Sequence, residues 1–199
     1  MADLAPRAAF AGLLHASAPP EGGIPGLVVS ARPERQLAIA IARKGKRAEL
    51  AQRLRQATGL ALPEGPHRTT AGRMTALGTG PRSWLVMEEG GEPGLADRLA
   101  EALSPLAAVS DQSDGYAVLR LTGAHVRDVL AKGIALDLHP RAFGPGSAAV
   151  TNCAHLGVTL WQIDEAPTFE LAVFRSYAGS LAHWLGESAA EFGLGVAAE

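Results

Sequence analysis

Large apolar residues recur first with a period of two and then with a period of four along the first half of the chain. Residues 36–42 alternate leucine and isoleucine with alanine, which predicts a strand. Leucines four apart within 46–58 predict a basic amphipathic helix, and Gly59 follows at the position of a left-handed C-terminal cap. Short runs at 73–77 and 83–87 predict two strands, joined as a hairpin by a turn of glycine and proline.

A second helix and a further strand complete the first half. Leucines recur every four residues between Pro93 and Pro105, which predicts an amphipathic helix with the first proline near its first turn. Residues 106–110 are predicted to follow as a strand. The first half therefore has the order strand, helix, strand, strand, helix, strand.

The second half begins with a strand over 116–121, where Arg120 lies on the face opposite to the apolar residues. Thr122 is a candidate cap for a short helix that contains Val126, Val129 and Leu130 and ends at Gly133.

The last predicted elements are a hairpin, a strand and a helix. The hairpin joins 148–154 to 158–163 around residues 156–157. A strand follows over 169–174, and Ser176 is predicted to cap the final helix. The helix has one face formed by Tyr177, Leu181, Trp184, Leu185, Ser188 and Phe192.

The two halves repeat one order of elements, and "SWLVME…GLADRLAEAL" matches "TFELAVF…SLAHWLGESA" in position. We predict an α+β fold built from duplicated split β-α-β units, in which antiparallel sheets carry helices on one face. Residues 1–26 are rich in alanine, proline and glycine, which predicts an extended N-terminal tail that lies on a partner. Residues 27–199 are predicted to form one domain of two pseudo-repeats, about 27–110 and 111–199.

Composition narrows the class of protein. An apolar content of 47% is typical of a globular protein, and a net charge of −2 provides no field that attracts nucleic acid or an anionic membrane. No run of about 20 apolar residues could span a bilayer. The single cysteine, Cys153, excludes an internal disulfide framework and a zinc site with two thiolates. We therefore expect a cytoplasmic protein that binds neither nucleic acid nor membrane.

Positive charge is concentrated between Arg32 and Arg55, where eight basic residues face two acidic ones. We interpret this stretch as the solvated face of one helix. The alternative is a docking site for an acidic partner or a polyanionic ligand.

A search for nucleophilic catalysis finds no G-x-S-x-G motif. The nearest pairing of a thiol and a base is Cys153 with His155, which would share a face if both lay in one strand. No acid is placed to orient the histidine, so we interpret the cysteine as a packing residue. The alternative is an uncharacterised hydrolase that uses this pair.

Metal and phosphate motifs are also missing from the sequence. The six histidines form neither H-x-x-x-H nor H-E-x-x-H, and Asp137 with His139 is interpreted as a turn. The glycine-rich segments 78–80 and 144–147 are interpreted as turns, and 111–115 as a turn between the halves rather than a calcium loop. The three tryptophans are assigned to the core. We therefore predict no catalytic, cofactor-binding or metal-binding residue in this chain.

Residues 111–185 resemble the gamma subunit of bacterial heterotetrameric sarcosine oxidase. The residues that carry the resemblance are "DQSDGYAVLRLTGAHVRDVLAKGIALDLHPRAFGPGSAAVT", "GVTLWQ" and "TFELAVFRSYAGSLAHWL". The run "VLAKG…LDLHPRAF" is the most specific part, and "RSWLVM" extends the likeness upstream.

The resemblance implies a non-catalytic subunit of a flavin-dependent oxidoreductase complex that acts on CH–NH bonds. Such a complex oxidises sarcosine to glycine and produces hydrogen peroxide with formaldehyde or methylenetetrahydrofolate. It implies alpha, beta and delta subunits as partners, which carry FAD, FMN, NAD, the tetrahydrofolate site and zinc. The implied fold resembles part of the folate-binding aminomethyltransferase of glycine cleavage. That likeness, with the basic stretch, leaves an autonomous folate or one-carbon binding protein as the alternative.

Overall fold

Two β-sheets lie face to face in the computed structural model, which describes residues 7–197, and helices cover the outer face of each sheet. In chain order the elements of these residues are β1 Leu27–Ala31, β2 Arg35–Ala42, α1 Arg47–Thr58, β3 Arg68–Ala71, β4 Met74–Gly80, β5 Ser83–Glu89, α2 Leu95–Leu103, β6 Ala107–Asp111, β7 Tyr116–Thr122, α3 Val126–Ala131, β8 Ala148–Cys153, β9 Leu156–Asp164, β10 Thr168–Phe174, α4 Ala178–Ala189 and β11 Leu194–Val196.

The two sheets have matching strand orders, which confirms the predicted duplication. Sheet 1 runs β3-β4-β5-β2-β6, and sheet 2 runs β8-β9-β10-β7-β1-β11. When β2 is equated with β7, the two orders coincide, except that β1 is inserted before the last strand of sheet 2. β1 pairs antiparallel with β7 and parallel with β11. The first strand of the chain, β1, thus belongs to sheet 2, and the next five strands form sheet 1.

Three layers of apolar side chains follow from the alternation along the strands. α1 and α2 cover sheet 1, where β2 presents the small side chains Ala38, Ala40 and Ala42 so that the helices pack closely. α3 and α4 cover sheet 2 in the same way. The layer between the sheets contains Leu37, Leu77, Leu85, Met87, Val118, Ala148, Trp161 and Ala172.

Capping residues in the sequence predict one helix end correctly and two incorrectly. Gly59 has φ 75° and its N–H donates to the Arg55 carbonyl at 2.9 Å, so the predicted cap of α1 is confirmed. The predicted cap of the final helix at Ser176 is wrong, because Ser176 lies in a 3₁₀ turn over Arg175–Tyr177 and α4 begins at Ala178. Thr122 likewise ends β7 instead of capping α3, whose N-cap position is His125.

The turn of the β8–β9 hairpin lies before Gly157, the residue around which the sequence predicts it. Its two loop residues are Ala154 and His155, with φ 46° and 73°, and β9 already begins at Leu156. Positive φ at both loop residues matches the right-handed twist of a two-residue hairpin, but neither residue type signals it. The predicted turn around 156–157 is therefore wrong by two residues.

Three short strands were not predicted: β1, β3 and β11. The predicted tail is described from residue 7 onwards, and residues 1–6 lie outside the described residues. Within the tail, Phe10 is buried in the core of sheet 2, and Ser17 exchanges backbone hydrogen bonds with Leu194 at 2.8 and 2.9 Å. This part of the tail therefore packs on its own domain. None of the helices among residues 7–197 has the length and apolar character needed to cross a membrane.

Candidate functional site

Glu170 is the centre of a buried ionic cluster between the two sheets. It lies on the inner face of β10 and is 2% exposed. Arg35, the first residue of β2, donates from Nη1 to Oε2 at 2.6 Å and from Nη2 to Oε1 at 2.7 Å. Arg120 donates from Nε to Oε1 at 2.9 Å, and Trp161 donates from Nε1 to Oε2 at 2.9 Å. Both carboxylate oxygens are thus saturated by charge-assisted or neutral donors.

Strand register explains why these side chains meet. Arg120 on β7 and Trp161 on β9 are the direct cross-strand neighbours of Glu170 in sheet 2. Side chains opposite each other on one face of a sheet lie close enough to pair. Arg35 comes from sheet 1, so its two-bond contact with Glu170 ties the two sheets together.

A second carboxylate extends the cluster to the surface. Glu89 is the cross-strand neighbour of Arg35 in sheet 1, and its Oε2 lies 3.4 Å from Arg35 Nη2. Glu89 also pairs with Arg32. Burial, followed by the charges of Arg120 and Arg35, lowers the pKa of Arg32.

The structure divides the basic stretch that begins at Arg32. Arg47, Arg53 and Arg55 are exposed on α1, in agreement with a solvated helical face. Arg32 and Arg35 lie outside that helix, and Arg35 is only 8% exposed within the ionic cluster. The interpretation as one helical face is therefore wrong for Arg32 and Arg35, and Arg43 and Lys44 also lie outside the helix, in the exposed connection before α1.

Three cavities meet at Arg35. One of about 70 Å³ lies between the sheets and is lined by Arg68, Arg120 and Glu170. Another of about 70 Å³ is lined by Arg32 and Glu89, and a third of about 220 Å³ lies beneath residues 7–10. Arginines outnumber acidic residues in the walls of the first and third cavities, which therefore favour anions, whereas the second has two arginines and two glutamates.

Cys153 and His155 do not form the pair that a shared strand would have produced. Cys153 ends β8 with its thiol fully buried in the core of sheet 2, whereas His155 is exposed in the hairpin turn. Burial raises the pKa of Cys153 to about 12. A thiol with this pKa is almost entirely protonated near neutral pH, which argues against the hydrolase alternative.

We predict that native Cys153 resists alkylation. At pH 8 its thiolate fraction is lower than that of an unfolded cysteine by about three orders of magnitude. Iodoacetamide labelling followed by mass spectrometry should therefore be about a thousandfold slower in buffer than in guanidinium chloride. Because the sequence holds one cysteine, the signal is unambiguous, and equal rates in both states would contradict the assignment.

Two further sequence candidates, around Asp137 and Asp111, lie in turns as predicted, whereas residues 78–80, also interpreted as a turn, belong to β4. Asp137 Oδ1 accepts from the His139 N–H at 2.9 Å, as expected for a turn. Asp111 Oδ1 accepts from Ser113, and these hydrogen bonds lower the pKa of Asp111 at the junction of the halves. Among residues 7–197, no three or more His, Cys, Asp or Glu side chains form a group that could hold a metal ion.

The tryptophans are mostly core residues, as predicted. Trp84 and Trp161 are fully buried, and each uses its indole N–H, the first on the Pro63 carbonyl at 3.1 Å. Trp184 is partly buried against the core of sheet 2. The ionic cluster around Glu170 was not predicted.

Comparison with known proteins identifies the family. The family model described as sarcosine oxidase, gamma subunit family, matches residues 44–191. The chain belongs to this family. This confirms the resemblance carried by residues 111–185.

Relatives and solved structures agree with the family. The chain is 34% identical over 142 residues to sarcosine oxidase subunit gamma of Corynebacterium sp. strain U-96, covering 70% of this chain and 68% of the relative. The corresponding subunit of Arthrobacter sp. is 36% identical over 137 residues, covering 68% and 66%.

Among structures, a chain of heterotetrameric sarcosine oxidase from Corynebacterium sp. U-96 matches with a TM-score of 0.76 and 29% identity, over 89% of both chains. Glycine cleavage system aminomethyltransferase T from Bartonella henselae matches with a TM-score of 0.62 and 13% identity, over 86% of this chain and 48% of that one. The second likeness shows a shared fold, as expected from the sequence.

Proposed function

We propose that this chain is the gamma subunit of a heterotetrameric sarcosine oxidase and that it supports the complex without supplying a catalytic residue. The observation that carries the proposal is the match over 89% of both chains to a subunit of such an enzyme. The complex would act in the cytoplasm and oxidise sarcosine to glycine. Its other products would be hydrogen peroxide and either formaldehyde or methylenetetrahydrofolate.

In this proposal the cofactors belong to the partners. FAD, FMN, NAD, tetrahydrofolate and zinc would be bound by the alpha, beta and delta subunits. The protonated, buried thiol of Cys153 supports a structural role for the one cysteine of this chain. The ionic cluster supports the same view, because Glu170 is enclosed by donors and has no oxygen free for a substrate.

Exposed apolar side chains support a role as a subunit. Val150 on β8 is 59% exposed and borders a groove of about 470 Å³ that Trp84 and three prolines also line. Phe174 is 46% exposed and stacks on Tyr116 with ring centroids 4.7 Å apart. Aromatic residues are enriched in interfaces, and the buried centre of an interface is more apolar than the rest of the surface.

The test is co-expression of the chain with the products of its neighbouring genes, followed by size-exclusion chromatography with absorbance at flavin wavelengths. We expect the chain to elute with a yellow flavoprotein, and an unrelated flavoprotein serves as the control. Omission of the chain should reduce the yield, stability or turnover of the complex. A complex with undiminished yield, stability and turnover would refute the supporting role.

The fold shared with aminomethyltransferase T keeps one alternative, an autonomous folate-binding protein. This alternative would be favoured if the chain eluted as a colourless monomer and did not bind the co-expressed proteins. Calorimetry with tetrahydrofolate polyglutamate then decides, because an absence of heat would exclude it.

A further inference from the structure

Arg68, the first residue of β3, has a buried nitrogen without a partner. Its Nε is the one buried side-chain nitrogen or oxygen in the described part of the chain that makes no hydrogen bond. Burial lowers the pKa of Arg68, while the charge of Glu170 opposes that shift. A buried donor that is left unpaired is unfavourable, and such atoms are rare in folded proteins.

The unpaired guanidinium lines a cavity with a surplus of positive charge. The wall of this cavity of about 70 Å³ contains four arginines and two glutamates, which leaves two positive charges uncompensated. The basic residues are Arg35, Arg68, Arg73 and Arg120. Arg73 is exposed, so solvent screens its charge, whereas Arg35 is buried and Arg68 and Arg120 are partly buried. Like charges in a partly desolvated space repel each other, so an anion there would lower the energy of the site.

The two carboxylates of the wall are already occupied by other arginines. Both oxygens of Glu170 accept from Arg35, Arg120 and Trp161. Glu89 is shared between Arg35 and Arg32. Arg32 is not among the four arginines of the wall, so its charge adds to the surplus. Neither carboxylate forms an ion pair with Arg68.

We propose that this cavity binds one small carboxylate or similar oxyanion, held by Arg68 together with the guanidinium groups of Arg35 and Arg120. Arg35 and Arg120 already contact Glu170 through two nitrogens each, so the fork that a planar anion with two oxygens would match is that of Arg68. A space of about 70 Å³ fits an anion of formate or acetate size and is too small to enclose an aromatic acid.

The experiment measures the thermal unfolding midpoint of the full chain in sodium formate, acetate, benzoate and chloride at constant ionic strength. Formate and acetate should raise the midpoint saturably above its value in chloride, by about 2–4 °C. Benzoate, which is a carboxylate too large for the cavity, should have no such effect. Chloride controls for general screening of surface charge.

Variants assign the effect to the cavity. Arg68→Met should weaken formate binding at least tenfold while the variant keeps or raises its midpoint in chloride, since an unpaired buried donor is removed. Arg68→Lys keeps the charge but loses the fork, so it should also bind formate more weakly. Arg141→Gln removes an exposed arginine in a turn and should bind formate like the parent chain.

Titration in the assembled complex distinguishes a free anion from a carboxylate on a partner subunit. Formate binding that persists in the complex identifies a free oxyanion, whereas binding that is lost on assembly identifies a partner side chain as the occupant. Equal midpoints in formate and chloride, or a formate effect that survives in both Arg68 variants, would overturn the proposal. Co-elution of the subunits tests the proposed function separately.

Discussion

Replacing Glu170 by glutamine is expected to lower the free energy of unfolding by about 3–5 kcal/mol, the range for breaking a buried ion pair. Glutamine preserves the shape of the side chain but removes its charge. Arg35, which is buried, and Arg120, which is partly exposed, would then lose the carboxylate that they share, and only Arg35 would keep a second one, Glu89. Urea unfolding followed by circular dichroism measures the loss directly.

An exposed glutamate provides the control for this experiment. Glu165 lies in the exposed turn between β9 and β10, so Glu165→Gln should change stability by less than about 0.5 kcal/mol. Arg35→Gln should cost less in the Glu170→Gln background than in the parent chain, because the two residues interact directly. Similar losses for the two glutamate variants would show that the buried cluster does not stabilise the fold.

The charged members of this cluster carry a sequence signal, but their pairing does not. Glu170 interrupts the apolar strand "TFELAVF", and Arg120 interrupts "YAVLRL". A charge within such a strand is unusual, since ionised side chains are rarely buried alone. Strand alternation correctly placed Arg120 opposite the apolar face. The partner Arg35 lies 135 residues from Glu170 and in the other sheet, and no local pattern indicates that distance in sequence.

The fold was predictable where it depends on period and order, and unpredictable where it depends on distant pairing. Alternation and four-residue spacing identified the long elements, and their repeated order indicated the duplication. β1 forms because residues 27–31 pair with β7 and β11, which lie roughly 90 and 165 residues later. β3 and β11, with four and three residues, are too short for a period to be recognised.

Gly78 shows how a glycine can mislead a sequence interpretation. Residues 78–80 were interpreted as a turn, but β4 continues through Gly80. At Gly78 the strand passes against the backbone of Gly65, and a Cβ built there would overlap the Gly65 carbonyl oxygen. The requirement for glycine at this position is therefore the close approach of two backbone segments, which only the folded chain reveals.

Gly78→Ala is expected to lower the free energy of unfolding by about 2–4 kcal/mol through overpacking. The obstructing Gly65 segment has little freedom to move. The Gly65 carbonyl accepts from the His67 N–H at 2.9 Å, and the His67 carbonyl accepts from the Gly78 N–H at 3.0 Å. The nearby Pro63 carbonyl accepts from the Trp84 indole N–H. Thermal and urea unfolding of the variant measure the effect.

Gly157→Ala is the matched control, because Gly157 also lies in a strand but faces open space and has no positive φ. An alanine there should change stability by less than about 0.5 kcal/mol, or raise it slightly by restricting the unfolded chain. A loss at Gly78 no larger than the change at Gly157 would mean that the Gly65 segment yields freely. The difference between the two variants therefore measures how rigidly the segment 63–67 is held against β4.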